Sequence, residues 1–237
     1  MQFLTRLPVP GVTDFSPVDL ARSAAWFPFV GLVLGAIVGL VTLALDYRNP
    51  VLAGIVGVVA WVWLTGALHL DGLADLADAL GAAHRSPERF FAVLADPHLG
   101  TFGMVSVVLV LMSKAAALAW LPQEALWALP LLLAWSRLGT LAWGRWLRPL
   151  KPGHGERFTG QLSVGWIAFW SVLLLVASAA LAPVLCAAPL IIAAWGLWLR
   201  VRLGGMTGDC LGAGVEVTET ALLLLVVLTS SATAVPP

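Results

Sequence analysis

The chain has 237 residues, of which 60% are hydrophobic and only 11% charged, with a mean hydropathy of +0.93. That balance excludes an ordinary soluble domain and predicts an all-α, polytopic membrane protein. Thirteen basic and thirteen acidic residues cancel, so bulk charge argues against a nucleic-acid partner. The two cysteines, Cys186 in an apolar run and Cys210 in a polar loop, match neither a disulfide framework nor a zinc-ligand spacing.

Pro8, Pro10 and Gly11 interrupt the N-terminus too early for a signal peptide, so the first membrane segment is expected to direct its own insertion. About 20 apolar residues cross the hydrocarbon core as a helix. Runs of roughly that length predict seven spans, at 24–45, 51–68, 103–121, 125–143, 164–182, 183–199 and 221–235. Pro183 opens the sixth, which suits a first helical turn. Tryptophans such as Trp26, Trp143, Trp146 and Trp166 fall near span ends, as interfacial anchors do.

Ten of the thirteen basic residues fall before the first span or in the stretches 69–102, 144–163 and 200–220. Arg48 lies on the opposite side, and Lys114 and Arg137 fall inside spans. By the positive-inside rule the N-terminus and those three loops are cytoplasmic. Acidic residues carry little topological weight, yet all but Asp46 and Glu124 among those outside the extreme N-terminus gather on the same side. The sequence therefore predicts one membrane-embedded domain over 1–237, a helical bundle with catalytic loops at 69–102 and 200–220.

His69-Leu70-Asp71-Gly72-Leu73-Ala74-Asp75-Leu76-Ala77-Asp78 directly follows the second apolar run. On a helix Asp71, Asp75 and Asp78 stack on one face, where like charges repel and a divalent cation such as Mg²⁺ is the usual counter-charge. A helix cap or an Asp-Gly turn explains one such carboxylate but not three. A metal at a membrane surface points to work on phosphates. Arg85-Ser86-Pro87-Glu88-Arg89 resembles a turn opening a helix, with Arg85 or Arg89 placed to grip a phosphate. Asp96-Pro97-His98-Leu99-Gly100-Thr101-Phe102-Gly103 sets an acid and a histidine beside two glycines. Lys114 and Arg137 inside spans each cost roughly 2.5–3.5 kcal/mol on insertion scales, and snorkelling is the expected relief. Arg137 is also placed to reach the cytoplasmic face and bind an anion.

Residues 204–219 hold five glycines, a backbone able to fold around phosphate, followed by acids. Counted from Asp209, Glu216 (i+7) and Glu219 (i+10) share nearly one helix face and are candidates for a second metal site.

Taken together, these stretches resemble the cobalamin synthase family, the adenosylcobinamide-GDP ribazoletransferases. The likeness rests on Phe3-Leu4-Thr5-Arg6-Leu7-Pro8-Val9-Pro10, on Phe27-Pro28-Phe29-Val30-Gly31-Leu32, and on the stretches 69–81, 96–103 and 207–219. Pro97-His98 and the loop 145–155 depart from the family pattern. The resemblance implies a Mg²⁺-dependent, multi-pass transferase of the bacterial inner membrane acting late in cobalamin assembly. Its substrates would be adenosylcobinamide-GDP and alpha-ribazole or its 5'-phosphate, and its products adenosylcobalamin or its phosphate, and GMP. On that reading Asp71, Asp75, Asp78, Asp209, Glu216 and Glu219 hold metal, and His69 or His98 takes the hydroxyl proton. Arg85, Asp96, Arg137, Thr207 and Gly208 contact substrate. A CDP-alcohol phosphotransferase of phospholipid synthesis is the alternative, but its Asp-Gly-x-x-Ala-Arg signature fails where Asp75-Leu76 follows Ala74. A carrier is a third reading, and the crowding of the acids on one side argues against it.

Overall fold

The computed structural model describes residues 4–8, 23–46, 49–83, 87–151 and 163–233. These form nine helices of a full turn or more from Phe27 onward: α1 (Phe27–Asp46), α2 (Pro50–Thr65), α3 (Leu68–Ala83), α4 (Pro87–Val93), α5 (Thr101–Trp120), α6 (Ala128–Trp146), α7 (Val164–Leu181), α8 (Ala188–Arg202) and α9 (Gly208–Thr233). Short 3₁₀ turns, Gln123–Ala125 and Pro183–Ala187, lead into α6 and α8. Six stretches are individually long and apolar enough to cross a bilayer, and the bent pair α2–α3 makes a seventh. Arg85 lies outside the described residues.

Helix α2 begins at a side-chain cap, the Leu52 N–H donating to Asn49 Oδ1 at 3.1 Å, with Pro50 in the first turn. It stops where two consecutive residues, Gly66 (φ +62°) and Ala67 (φ +61°), adopt the left-handed region. Glycine enters that region freely, whereas alanine does so at a cost on the order of 1 kcal/mol. The N-terminal segment holds the elbow: Leu4 is buried, the Arg6 N–H donates to Leu64 O at 2.8 Å, and the Arg6 side chain covers Gly66. The chain turns by 90° there, so α3 runs crosswise to α2.

Helix α6 is the centre of the bundle, packed against α1, α7, α8 and α9 and buried along nearly its whole length. Three tryptophan N–H groups inside this core find acceptors, Trp135 on Ser178 Oγ (3.0 Å), Trp143 on Ile192 O (2.8 Å) and Trp170 on Ala25 O (2.7 Å), whereas the buried Trp61 Nε1 has no protein partner. Trp143 is thus a core residue and not the interfacial anchor its position suggested, while Trp26, Trp146 and Trp166 are exposed as expected. The outward faces of α5, α7 and α8 carry exposed Leu109, Met112, Val172, Val176, Leu190 and Val201, the surface a lipid-facing helix presents.

The main departure from expectation concerns 208–220. Its glycines and acids suggested a loop, yet it is the first half of α9, continuous with the last span. Before it, the chain pairs with the segment following α6. The Met206 N–H donates to Arg148 O and the Leu150 N–H to Met206 O, both at 2.9 Å, forming a short parallel bridge between Pro149 and Met206.

Candidate active site

Helix α3 carries Asp71, exposed, and Asp75 and Asp78, half-buried. The first turn of α9 meets it at a glycine: a Cβ on Gly72 would sit 3.0 Å from Asp209 O and 3.1 Å from Asp209 Cα. Only a residue without a side chain permits that approach. Gly212, one turn on, faces His69 and Gly72 in the same way. The contact sets Asp209 beside Asp71 and Asp75, although the two stretches lie more than 130 residues apart.

Asp75 registers the crowding. Its carboxyl is pushed up to about 6, first by burial and then by the negative charges of Asp71, Asp209 and Asp78, with Lys151 opposing. Lys151 is brought here by the bridge between Pro149 and Met206, and its Nζ stands 3.7 Å from Asp209 Oδ2. The Thr207 hydroxyl donates to Asp209 Oδ2 (3.2 Å) and accepts from the Cys210 N–H (3.3 Å), so Thr207 caps α9 while orienting Asp209. Gly208, exposed in the first turn, has open space around it. A carboxylate in the first turn of a long helix sits favourably against its dipole. Lys151 is the member of this group that sequence reasoning misses, because nothing in its local spacing marks it.

Asp78 also has backbone partners on another helix. Its Oδ2 accepts from the Gly100 N–H at 2.7 Å and its Oδ1 from the Gly103 N–H at 2.8 Å. Gly100 has no side chain with which to cap α5, and Asp78 supplies that cap from another helix. Each oxygen accepts one backbone N–H, so Asp78 caps α5 while its charge still acts on Asp75.

Glu216 and Glu219 depart from the predicted metal set. Lys114 Nζ donates to Glu216 Oε2 (2.7 Å) and to Glu219 Oε2 (2.5 Å), and lies 4.2 Å from the centre of the Trp61 ring. Arg137 Nη1 and the Ser136 hydroxyl bond Glu219 Oε1. All four ionic side chains are buried. Two cations and two anions neutralise one another inside the bundle, so the glutamates are not metal ligands at the α3 face. Arg137 is not an anion clamp there, and neither cation snorkels. The expectation failed because it placed the glutamates in a loop and the cations in separate spans, whereas α9 brings them together.

The histidines also separate from the aspartates. His69 is buried, within reach of the charges of Arg137, Glu219 and Lys114, and its Nδ1 has no protein partner. His98 and Asp96 satisfy each other at the surface: Asp96 Oδ1 accepts from the His98 N–H at 3.0 Å and lies 2.6 Å from its Nδ1. Those bonds hold the Asp96 carboxyl below the usual carboxylate range.

Among the described residues, no three His, Cys, Asp or Glu side chains already converge tightly enough to hold an ion by themselves. The donors at hand are Asp71, Asp75 and Asp209, hard oxygen anions opposed by one lysine. That chemistry fits Mg²⁺, which takes one or two carboxylates and completes its shell with water and substrate phosphate oxygens.

A family model described as cobalamin-5-phosphate synthase matches residues 1–227. A Thiobacillus denitrificans protein named adenosylcobinamide-GDP ribazoletransferase is 50% identical over 226 residues, covering 94% of this chain and 91% of its own. A Laribacter hongkongensis protein of the same name is 51% identical over 233 residues, with 96% and 94% covered. One from Corynebacterium efficiens is 35% identical over 243 residues, with 94% and 87% covered. No solved structure matches the chain.

Proposed function

This chain belongs to the cobalamin-5-phosphate synthase family, and we propose that its α3–α9 face is the active site of an adenosylcobinamide-GDP ribazoletransferase. The enzyme acts late in cobalamin biosynthesis. The reading is supported most by one observation, the meeting of Asp71 and Asp75 with Asp209 across a glycine contact at one end of the bundle.

The reaction joins alpha-ribazole, or its 5'-phosphate, to the corrinoid half of adenosylcobinamide-GDP. A ribose hydroxyl oxygen bonds the phosphorus that carries cobinamide and gives up its proton to solvent, the bond from that phosphorus to the bridging oxygen breaks, and GMP leaves with that oxygen and its electron pair. Asp71, Asp75 and Asp209 would hold Mg²⁺, which when bound neutralises charge on the diphosphate and its leaving group. Lys151 adds a positive charge at the same edge, where the diphosphate must lie. Thr207 holds Asp209 in place. The distribution of ten basic residues supports a bacterial inner-membrane enzyme with this face in the cytoplasm.

The test is product analysis. Purified protein in lipid, given adenosylcobinamide-GDP, alpha-ribazole and Mg²⁺, should release GMP and form adenosylcobalamin, and EDTA should stop it. Release of CMP from a CDP-alcohol, with no reaction of the cobinamide donor, would overturn the assignment.

A further inference from the structure

The contact that brings Asp209 to Asp71 and Asp75 is smooth. At Gly72 and Gly212 the two helices meet backbone to backbone. Interdigitating ridges and grooves are what normally resist sliding of one helix along another. A glycine contact allows close approach but does little to set axial position, and a shift of about 1.5 Å moves α9 by one residue.

The glycine contact itself therefore leaves room for a polar determinant of register, and the buried ionic cluster is suitably placed. Glu216 and Glu219 lie about 10 and 15 Å along α9 from Asp209. Lys114 on α5 donates to both. Helix α5 is in turn fixed to α3, because Asp78 accepts from the Gly100 and Gly103 N–H groups. The three helices therefore form a closed frame. Asp78 joins α3 to α5, Lys114 joins α5 to α9, and the glycine contact closes α9 onto α3.

Resting on the reading of the aspartates as the active site, we propose that Lys114 is a positioning residue whose double ion pair holds α9 at the register where Asp209 faces Asp71 and Asp75. Slip of α9 in either direction pulls two carboxylates off their shared ammonium inside a low-dielectric bundle, where separated charges are expensive. Setting register is the best-attested role of a polar group in an otherwise apolar helix interface. The ammonium's contact with the Trp61 ring restricts it further, tying the frame to α2.

The double variant Lys114→Met with Glu216→Gln removes the link while leaving Arg137 paired with Glu219, so no buried charge is stranded. Two quantities are read in lipid nanodiscs: amide hydrogen exchange along the chain, and turnover of adenosylcobinamide-GDP with alpha-ribazole as Mg²⁺ is varied. The expected result is faster exchange confined to 208–215, with α6 unchanged. The expected kinetic result is a fall in kcat of roughly tenfold to a hundredfold, the scale of an ångström-sized misplacement, and a raised Mg²⁺ requirement. Lys114→Arg, which keeps a donor for both carboxylates, should retain most of the turnover. Wild-type exchange at 208–215 together with wild-type kcat in the double variant would overturn the proposal, as would equal damage from Lys114→Arg and Lys114→Met. If the double variant does not fold, Glu216→Gln alone reads the same two quantities against Lys114→Arg. A wild-type protein that makes no adenosylcobalamin would sink the enzymatic reading, while the exchange measurement would still decide whether Lys114 sets the register.

Discussion

Helix α9 carries two acidic groupings that behave in opposite ways. At its first turn Asp209 joins Asp71 and Asp75 around a single lysine 3.7 Å away, and the Asp75 carboxyl is pushed up to about 6. Two to three turns deeper, Glu216 and Glu219 are matched by Lys114 and Arg137. Among the described residues, acidic side chains are thus only partly compensated at the rim and fully compensated in the interior. On the proposed reading, the difference separates a site that receives a cation from one that already contains its own.

The comparison breaks most sharply at catalysis. Asp75→Asn should reduce turnover by about a thousandfold or more, an effect of at least ~4 kcal/mol on the barrier, without lowering the thermal midpoint of the metal-free protein. Near-normal activity would remove Asp75 from the site. Glu219→Gln should do the reverse. It strands positive charge inside the bundle and should lose about 3–5 kcal/mol of stability, read as a lowered midpoint in lipid. A protein as stable as wild type would mean the interior cluster is not an ion-pair network.

Asp78→Ala sharpens the contrast within α3 itself. Losing a cap costs about 0.5–2 kcal/mol, so this variant should be destabilised where Asp75→Asn is not, with faster amide exchange at 100–104. The smallest effect is on pH. The folded protein binds a proton at Asp75 more tightly than the unfolded chain, whose carboxyl titrates at 3.8, so ionisation of this group opposes folding. In EDTA its contribution should be most favourable below pH 3.8, decline as pH rises toward about 6, and level off above. Mg²⁺ should recover the loss at pH 7.5, and Asp75→Asn should flatten the difference. A profile rising through that window in the metal-free wild type would contradict the partly compensated cluster.

Much of this architecture is legible in the amino-acid sequence. Apolar runs locate the crossings because a bilayer demands internally satisfied backbone, and the spacing of Asp71 and Asp75 places them correctly on one helix. What is not legible depends on partners far along the chain. The glycines and acids of 208–220 read as a loop because their composition is polar, and only Lys114 and Arg137 make a buried helix of them. Asp78 cannot be told from its neighbours by spacing, because its function is set by two N–H groups 22 and 25 residues away. Lys151 reaches Asp209 only through a bridge between Pro149 and Met206.

The elbow at Gly66 and Ala67 has a further consequence for how the molecule operates. By turning the chain through 90° at the end of α2, it sets the acidic helix across the axis of α2 instead of along it. Under the proposed cytoplasmic placement of the α3–α9 face, reactants arrive and products leave on one side, with no charge carried from one compartment to the other. Turnover in sealed vesicles should therefore be indifferent to an imposed voltage.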